Sequence, residues 1–335
     1  MSGLRKGLST GGEVVHSAAD LCSLGARVGK SRGMDRLPRV LLRPALIKDG
    51  VADSEIRRDC RSGRLLRIRR GAYLPGDCTL SPEARHALLV TAEVARLASD
   101  SVVSHVSAAV LHGLPLWGVP LDRVHVTRAR SSGARTGPIV RVHSAPLSAG
   151  EAIRRGEVRV TSPARTVVDL ARRASFESGV VTADAALRAG LVTRTELDRT
   201  VLRVAGWPGA PAARRVVDFA DGRSESVGES RSRVAIWEAG LPAPTPQWEI
   251  WHQGVLLGRT DFAWPEQGLA AEFDGRVKYG RLLLPGQTPG EAVFAEKVRE
   301  DAIRAAGWMV KRWYWDDLKN FALTAALLRA ALAAR

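Results

Sequence analysis

Arg259-Thr-Asp261-Phe-Ala-Trp264-Pro265-Glu-Gln-Gly268-Leu269-Ala-Ala-Glu272-Phe273-Asp274-Gly275 is the stretch whose reading decides the fold. Two apolar runs flank Pro265-Glu266-Gln267-Gly268, which carries the Pro and Gly of a tight connection, so the stretch reads as a β-hairpin. With those residues as the loop, Trp264 faces Leu269, and counting outward sets Asp261 opposite Glu272. Side chains alternate along a strand, which puts Asp274 on the face of Glu272. Three carboxylates then share one face of a two-stranded ribbon. Like charges set opposite one another are destabilising, and such a group needs a compensating cation or a raised pKa. A divalent-metal site is the functional expectation; separately solvated carboxylates in a shifted register are the alternative.

Outward from the hairpin the elements alternate. A helix is expected from Ser224 through Glu229 to Glu238, stopped by Gly240, then a strand over Gln247–Trp251. After the hairpin come a helix from about Glu291 to Ala306 and a strand over Trp308–Trp313. The order α-β-β-β-α-β predicts a mixed sheet flanked by helices. Trp308, Trp313, Tyr314 and Trp315 are expected to pack that sheet, and the Ala/Leu-rich stretch from Lys319 to Arg335 to form a helix on the same core or on a partner.

The whole chain has 335 residues, 45% of them hydrophobic and 25% charged, enough for two or three globular domains. Fifty basic against 35 acidic residues give a net charge of +15, which favours a polyanionic partner, nucleic acid first. The bias to Arg and Ala also carries the stamp of a GC-rich coding sequence. Cys22, Cys60 and Cys78 have no Cys-x-x-Cys spacing, which points to a reducing cytosol and away from a disulfide or zinc-ribbon scaffold. No apolar run approaches the ~18 residues of a membrane span, and no internal repeat stands out. Residues 1–33, rich in Gly and Ser, read as an extension without chemistry: a mobile tail, or the product of a start codon upstream of Met34.

Residues 34–80 read as a small basic module. A helix is expected over Leu37–Ile47, limited by Pro38 and Pro44, then a second with Asp53 as N-cap and Gly63 as its end. Strands at Leu65–Ile68 and Gly71–Leu74 complete a helix-plus-wing pattern. Arg57, Arg58, Arg61, Arg64, Arg67, Arg69 and Arg70 fall in this short stretch against one acid, Asp59, and together would grip DNA phosphates. A solvated charged face is the plainer alternative.

Residues 81–205 read as a mixed α/β domain. Helices are expected at Pro82–Ala98, at the buried stretch Ser104–Gly113, and from Ser162-Pro163, where Ser162 caps and Pro163 opens the first turn. Strands are expected at Arg123–Thr127, Ile139–His143 and Val158–Thr161. His105 and His112 share a helix face without a third ligand in view and read as core or capping residues. The sequence has no Gly-x-Ser-x-Gly elbow, P-loop or Gly-x-Gly-x-x-Gly, so triad hydrolases and nucleotide cradles lack support. Gly206-Trp-Pro-Gly-Ala-Pro211 reads as an interdomain linker, and a C-terminal domain over 212–335 holds seven of the nine tryptophans.

Two resemblances attach to these motifs. Arg58-Asp-Cys-Arg-Ser-Gly-Arg-Leu-Leu-Arg-Ile-Arg-Arg-Gly-Ala-Tyr73, with the Ser-His-x-Ser-Ala-Ala and Ser-Pro-Ala-Arg-Thr-Val-Val-Asp-Leu-Ala stretches, resembles AbiEi-type antitoxins. That resemblance implies an N-terminal winged helix, DNA binding and a cognate toxin partner. Glu229, Asp261, the run Glu272-Phe-Asp-Gly275, Lys278 and the Glu296–Trp308 stretch resemble the Vsr-like branch of the PD-(D/E)xK restriction-endonuclease-like fold. This second resemblance implies Mg²⁺ or Mn²⁺ held by Asp261 and Glu272, with Glu229 assisting. The ion would polarise a phosphodiester and acidify a bound water. Asp274 stands where that family has its lysine, so Lys278 or Lys297 would have to replace it. A mixed α/β, multidomain, cytoplasmic DNA-binding protein is the expectation. Its function is read as metal-dependent DNA hydrolysis or, alternatively, as antitoxin and repressor activity on a degenerate nuclease fold; RNA is a weaker choice of substrate.

Overall fold

A computed structural model describes residues 37–130, 133–275 and 289–334, without the side chains of 289, 292 and 293. The expectations for residues 1–33 and for Lys278 lie outside the described residues. The fold is mixed α/β with three sheets. In chain order the elements begin β1 (Leu41–Leu42), α1 (Arg43–Lys48), α2 (Asp53–Arg61), β2 (Leu65–Arg69), β3 (Ala72–Pro75), α3 (Pro82–Val94), β4 (Ser101–Val103) and α4 (His105–Leu111). They continue with β5 (Val124–Arg128), β6 (Arg135–Thr136), β7 (Val140–Ser144), β8 (Ala152–Arg155), β9 (Val158–Thr161), α5 (Pro163–Ala171), α6 (Phe176–Arg188), α7 (Arg194–Arg203) and α8 (Ala210–Phe219). The last are α9 (Val227–Glu238), β10 (Thr245–His252), β11 (Val255–Trp264), β12 (Leu269–Asp274), α10 (Pro289–Ala305), β13 (Met309–Tyr314) and α11 (Ala322–Ala333).

The described residues form two compact units. One runs to Val103 and includes Leu121–Val160; the other comprises Ser104–Pro120 and Thr161 onward. This grouping cuts across the expected domain of residues 81–205. In the first unit a three-stranded sheet, ordered β1-β3-β2, carries α1 and α2, and a six-stranded sheet is ordered β6-β7-β5-β4-β9-β8. The single helix expected over Leu37–Ile47 is instead a short strand followed by α1. Pro44 is accommodated in a first turn, where its missing N–H has no intrahelical bond to lose, so the helix starts at Arg43 and not before it. Asp53 is not the cap of α2: Ala52 holds that position, the Glu55 carboxylate accepts from its N–H at 3.1 Å, and Asp53 pairs with Arg43.

In the second unit α4 to α8 pack together, and the C-terminal part follows the expected order: α9, three strands, α10, β13. Its sheet is ordered β10-β11-β12-β13, antiparallel through β12, with β13 parallel to β12. The hairpin has the expected register, Trp264 opposite Leu269 and Phe262 opposite Ala271. A 3₁₀ turn over Pro265–Gln267 and a left-handed Gly268 (φ 54°) close it. Alternation then sorts the faces. Phe262, Trp264, Leu269, Ala271, Phe273 and Trp313 form a core with Ile236 of α9 and Ala325, Leu328 and Ala331 of α11. Full burial of a side chain such as Phe262 contributes roughly 1.5–3 kcal/mol. On the other face Ile250, Ala270 and Val310 pack with Ile303 of α10. Trp313 stacks on Phe262 at 5.4 Å and donates its indole N–H to the Ser232 hydroxyl at 2.8 Å, as expected of a packing tryptophan.

The stretch 206–211 is not a linker. The guanidinium groups of Arg165 and Arg172 each lie over the Trp207 ring, 4.9 Å from its centroid, and Arg172 donates to the Pro208 carbonyl at 2.8 Å. Gly209 (φ 83°) opens α8, and a Cβ there would lie 2.2 Å from the Arg172 carbonyl oxygen, so only glycine fits.

Candidate nucleic-acid interface and carboxylate cluster

The basic module presents six of the seven expected arginines to solvent: Arg57, Arg58 and Arg61 on α2, Arg64 after it, and Arg67 and Arg70 on the wing. Two of them have acidic partners: Arg58 with Glu55 at 3.4 Å, and Arg64, whose Nε lies 3.1 Å from Asp59. Arg57, Arg61, Arg67 and Arg70 make no ion pair among the described residues. Four fixed positive charges on a helix and its adjoining wing are suited to phosphate contacts, because each can release a condensed counterion.

Arg69 corrects the sequence reading. The β2–β3 register shifts between Arg67 and Arg69, an irregularity that turns the second arginine inward. It is buried and ion-paired with Glu93 of α3, and it donates to the carbonyls of Ala92 at 2.6 Å and Arg70 at 2.7 Å. Its role is to fasten the wing to α3, not to meet DNA.

The hairpin brings Asp261, Glu272 and Asp274 to the α10 side of the sheet, as the register requires. Each carboxylate solves the charge problem differently. Asp261 accepts from the backbone N–H of Phe273 at 2.8 Å, taking up a donor just beyond the β11–β12 pair of Phe262 with Ala271. Glu272 is held through both oxygens, one by Arg299 of α10 at 2.5 Å and the other by Arg312 of β13 at 2.7 Å. Glu296 joins the same arginines at 2.7 and 2.8 Å. Burial alone would raise the Glu296 carboxyl, yet hydrogen bonding to Arg299 and the charges of both arginines hold it below the ordinary glutamate range. The cation that Glu272 requires is therefore supplied by guanidinium groups. The sequence reading missed this clamp, whose local signal is the charged spacing of Glu296, Arg299 and Glu300 along α10.

Asp274 is 7% exposed, and its Oδ1 is buried without a hydrogen-bond partner among the described residues. Glu229 lies apart in role. It is buried, Ser226 caps its N–H at 3.1 Å, and its carboxylate accepts from the Glu225 N–H at 2.7 Å and the Gln247 amide at 2.8 Å. Burial raises its pKa in spite of those donors. It fastens the start of α9 to β10 and is not free to take a second ion. Lys297 is exposed on α10. A metal at Asp261 and Glu272 would have to displace two charge-assisted hydrogen bonds from Glu272, so that pair does not fit the expected ion. His105 and His112 are buried, with Ser104 Oγ and the Thr161 carbonyl as partners at 3.0 and 2.8 Å, as expected of core residues.

Residues 101–219 match the family model of the AbiEi antitoxin C-terminal domain. Two curated proteins of Mycobacterium tuberculosis are similar to the chain: the uncharacterized protein MT2308 of strain CDC 1551 / Oshkosh and the uncharacterized protein Rv2248 of strain ATCC 25618 / H37Rv. Each is 30% identical over 265 residues, covering 78% of this chain and 89% of the relative. The chain belongs to their family and carries an AbiEi antitoxin C-terminal domain. Within that domain fall β4 to α8, the His105 and His112 core and Trp207 with its two arginines. The crystal structure of the RV2827C protein from Mycobacterium tuberculosis is similar over 70% of this chain and 87% of its own, at 17% identity and a TM-score of 0.36. No helix among the described residues is long and apolar enough to cross a membrane.

Proposed function

We propose that the chain is an antitoxin-type regulator that binds DNA through the face of α2 and its wing and pairs with a cognate toxin. The AbiEi antitoxin domain over residues 101–219 carries this reading. Two features support it: Arg57, Arg61, Arg67 and Arg70 are available for phosphates, and Glu272 is already neutralised by Arg299 and Arg312. On this reading the C-terminal α-β-β-β-α-β module is a nuclease-like fold kept as a scaffold. The test is fluorescence anisotropy with the DNA upstream of the chain's own gene, across a salt series. Changing Arg57, Arg61, Arg67 and Arg70 to Gln is expected to flatten the slope of log affinity against log salt by about 0.9 for each phosphate no longer neutralised. An unchanged slope assigns the DNA-binding role elsewhere or removes it.

One observation favours a second reading, Mg²⁺- or Mn²⁺-dependent endonuclease activity on DNA. The buried, unpartnered Oδ1 of Asp274 is an acceptor that a cation beside Asp261 would satisfy. Plasmid nicking with Mn²⁺ by the parent chain, abolished in both Asp261→Ala and Asp274→Ala, would favour hydrolysis over the scaffold reading. Equal nicking by parent and variants would point to a contaminant, and none at all would leave the regulator.

A further inference from the structure

The first unit holds a pair of histidines that neither reading uses. His125 lies on β5 and His143 on β7, neighbouring parallel strands in which His125 faces Arg141 and Thr127 faces His143. Paired residues share a face and alternate residues return to it, so His125, Thr127, Arg141 and His143 line one side of the sheet, with the two histidines diagonal. Val124, Val126, Val140 and Val142 line the other side, and their buried members anchor the two strands as a rigid base.

The two rings approach through their nitrogens. Nδ1 of His125 lies 3.3 Å from Nε2 of His143, with ring centroids 5.1 Å apart and planes at 48°. An ion bound tetrahedrally by imidazole, with metal–nitrogen bonds of about 2.0–2.1 Å, spans about 3.3–3.4 Å between two ligand nitrogens. The same separation is within hydrogen-bond reach, so one ring can donate to the other when no ion is bound. The pair is therefore already set at the spacing of two ligands on one ion.

We propose that His125 Nδ1 and His143 Nε2 form a binding site for an imidazole-preferring divalent transition metal, Zn²⁺, Ni²⁺ or Cu²⁺, with water completing the coordination. Nearby charge acts in both directions: Arg141, Arg123 and His86 oppose positive charge at His125, and Asp122 favours it. Hard, oxygen-preferring Mg²⁺ is a poor match for two nitrogens. The site cross-links β5 and β7, and it stands independently of the reading proposed for the arginine face.

The test uses the tag-free full chain. Zn²⁺ is followed by calorimetry, and Co²⁺ serves as a spectroscopic surrogate whose visible bands report tetrahedral nitrogen coordination. One equivalent is expected to bind, with no competition from millimolar Mg²⁺. His125→Gln and His143→Gln are each expected to weaken binding beyond the roughly 10–100-fold that loss of an outer-shell partner costs. His252→Gln, at an exposed histidine, is expected to leave binding unchanged. If His125→Gln loses its fold by circular dichroism, His143→Gln carries the test, since its ring is only half-buried. Absence of uptake, or the same uptake in His143→Gln as in the parent, would overturn the assignment and leave an ordinary hydrogen-bonded pair.

Discussion

Arg69 and Arg67 are two residues apart on one strand, yet one belongs to the interior and the other to the surface. The difference is energetic as well as geometric. Removing one member of a buried ion pair leaves the other charge without compensation and costs about 3–5 kcal/mol, whereas replacing both by apolar groups can be nearly neutral. Arg69→Ala is therefore expected to lower the urea midpoint strongly, and the double change Arg69→Met with Glu93→Met to recover much of the loss. A stability change in Arg67→Ala as large as that in Arg69→Ala would contradict this division. Glu272 teaches the same lesson. Its position beside Asp261 follows from counting along a hairpin, but its partners Arg299 and Arg312 lie 27 and 40 residues away. No pattern within the hairpin announces them, so the carboxylates alone suggest a metal where Glu272 is met by two guanidinium groups.

At the scale of elements, close approach sets what each position tolerates. Gly228, in the first turn of α9, sits against the ring of Phe273, and a Cβ there would fall 1.9 Å from a ring carbon. Overpacking of this kind costs typically about 1–3 kcal/mol, so Gly228→Ala is expected to lower the melting temperature, and Gly228→Ala with Phe273→Leu to restore part of it. A melting temperature unchanged by Gly228→Ala would mean that α9 and β12 are not packed this way. Elements whose signals are local are readable in the sequence: the hairpin from alternation around Pro265–Gly268, α5 from Ser162-Pro163, α9 from its Gly240 stop. The short strands β4, β6 and β8 are not, because a few residues carry no period. The stretch 206–211 misleads for a related reason. Its glycines and prolines are turn chemistry, and turns occur inside packed units as readily as between them; what packs this one is Trp207 against two arginines, a tertiary fact.

For the molecule as a whole, the AbiEi helices and the C-terminal module meet at Asp184. This carboxylate is fully buried on α6 and accepts from the Asp221 N–H at 2.7 Å and from Ser230 and Arg233 of α9, each at 2.8 Å. Arg231 adds a second tie, paired with Glu177 at 2.7 Å and lying 3.9 Å over the Trp117 ring. Burial raises the Asp184 pKa even though Arg233 opposes the shift. Asp184→Ala removes the carboxylate that meets the part-buried Arg233 guanidinium and is expected to cost up to about 3 kcal/mol. In calorimetry it should shift α4–α8 and the C-terminal sheet together; two separate transitions in the parent would refute the coupling. The same carboxylate bears on inheritance. A recombination that moved residues 221–335 onto another protein would leave behind the partner that neutralises Arg233 and receives Ser230, so the C-terminal module travels through descent only in the company of α6. Its place in the chain is held by what its neighbour needs.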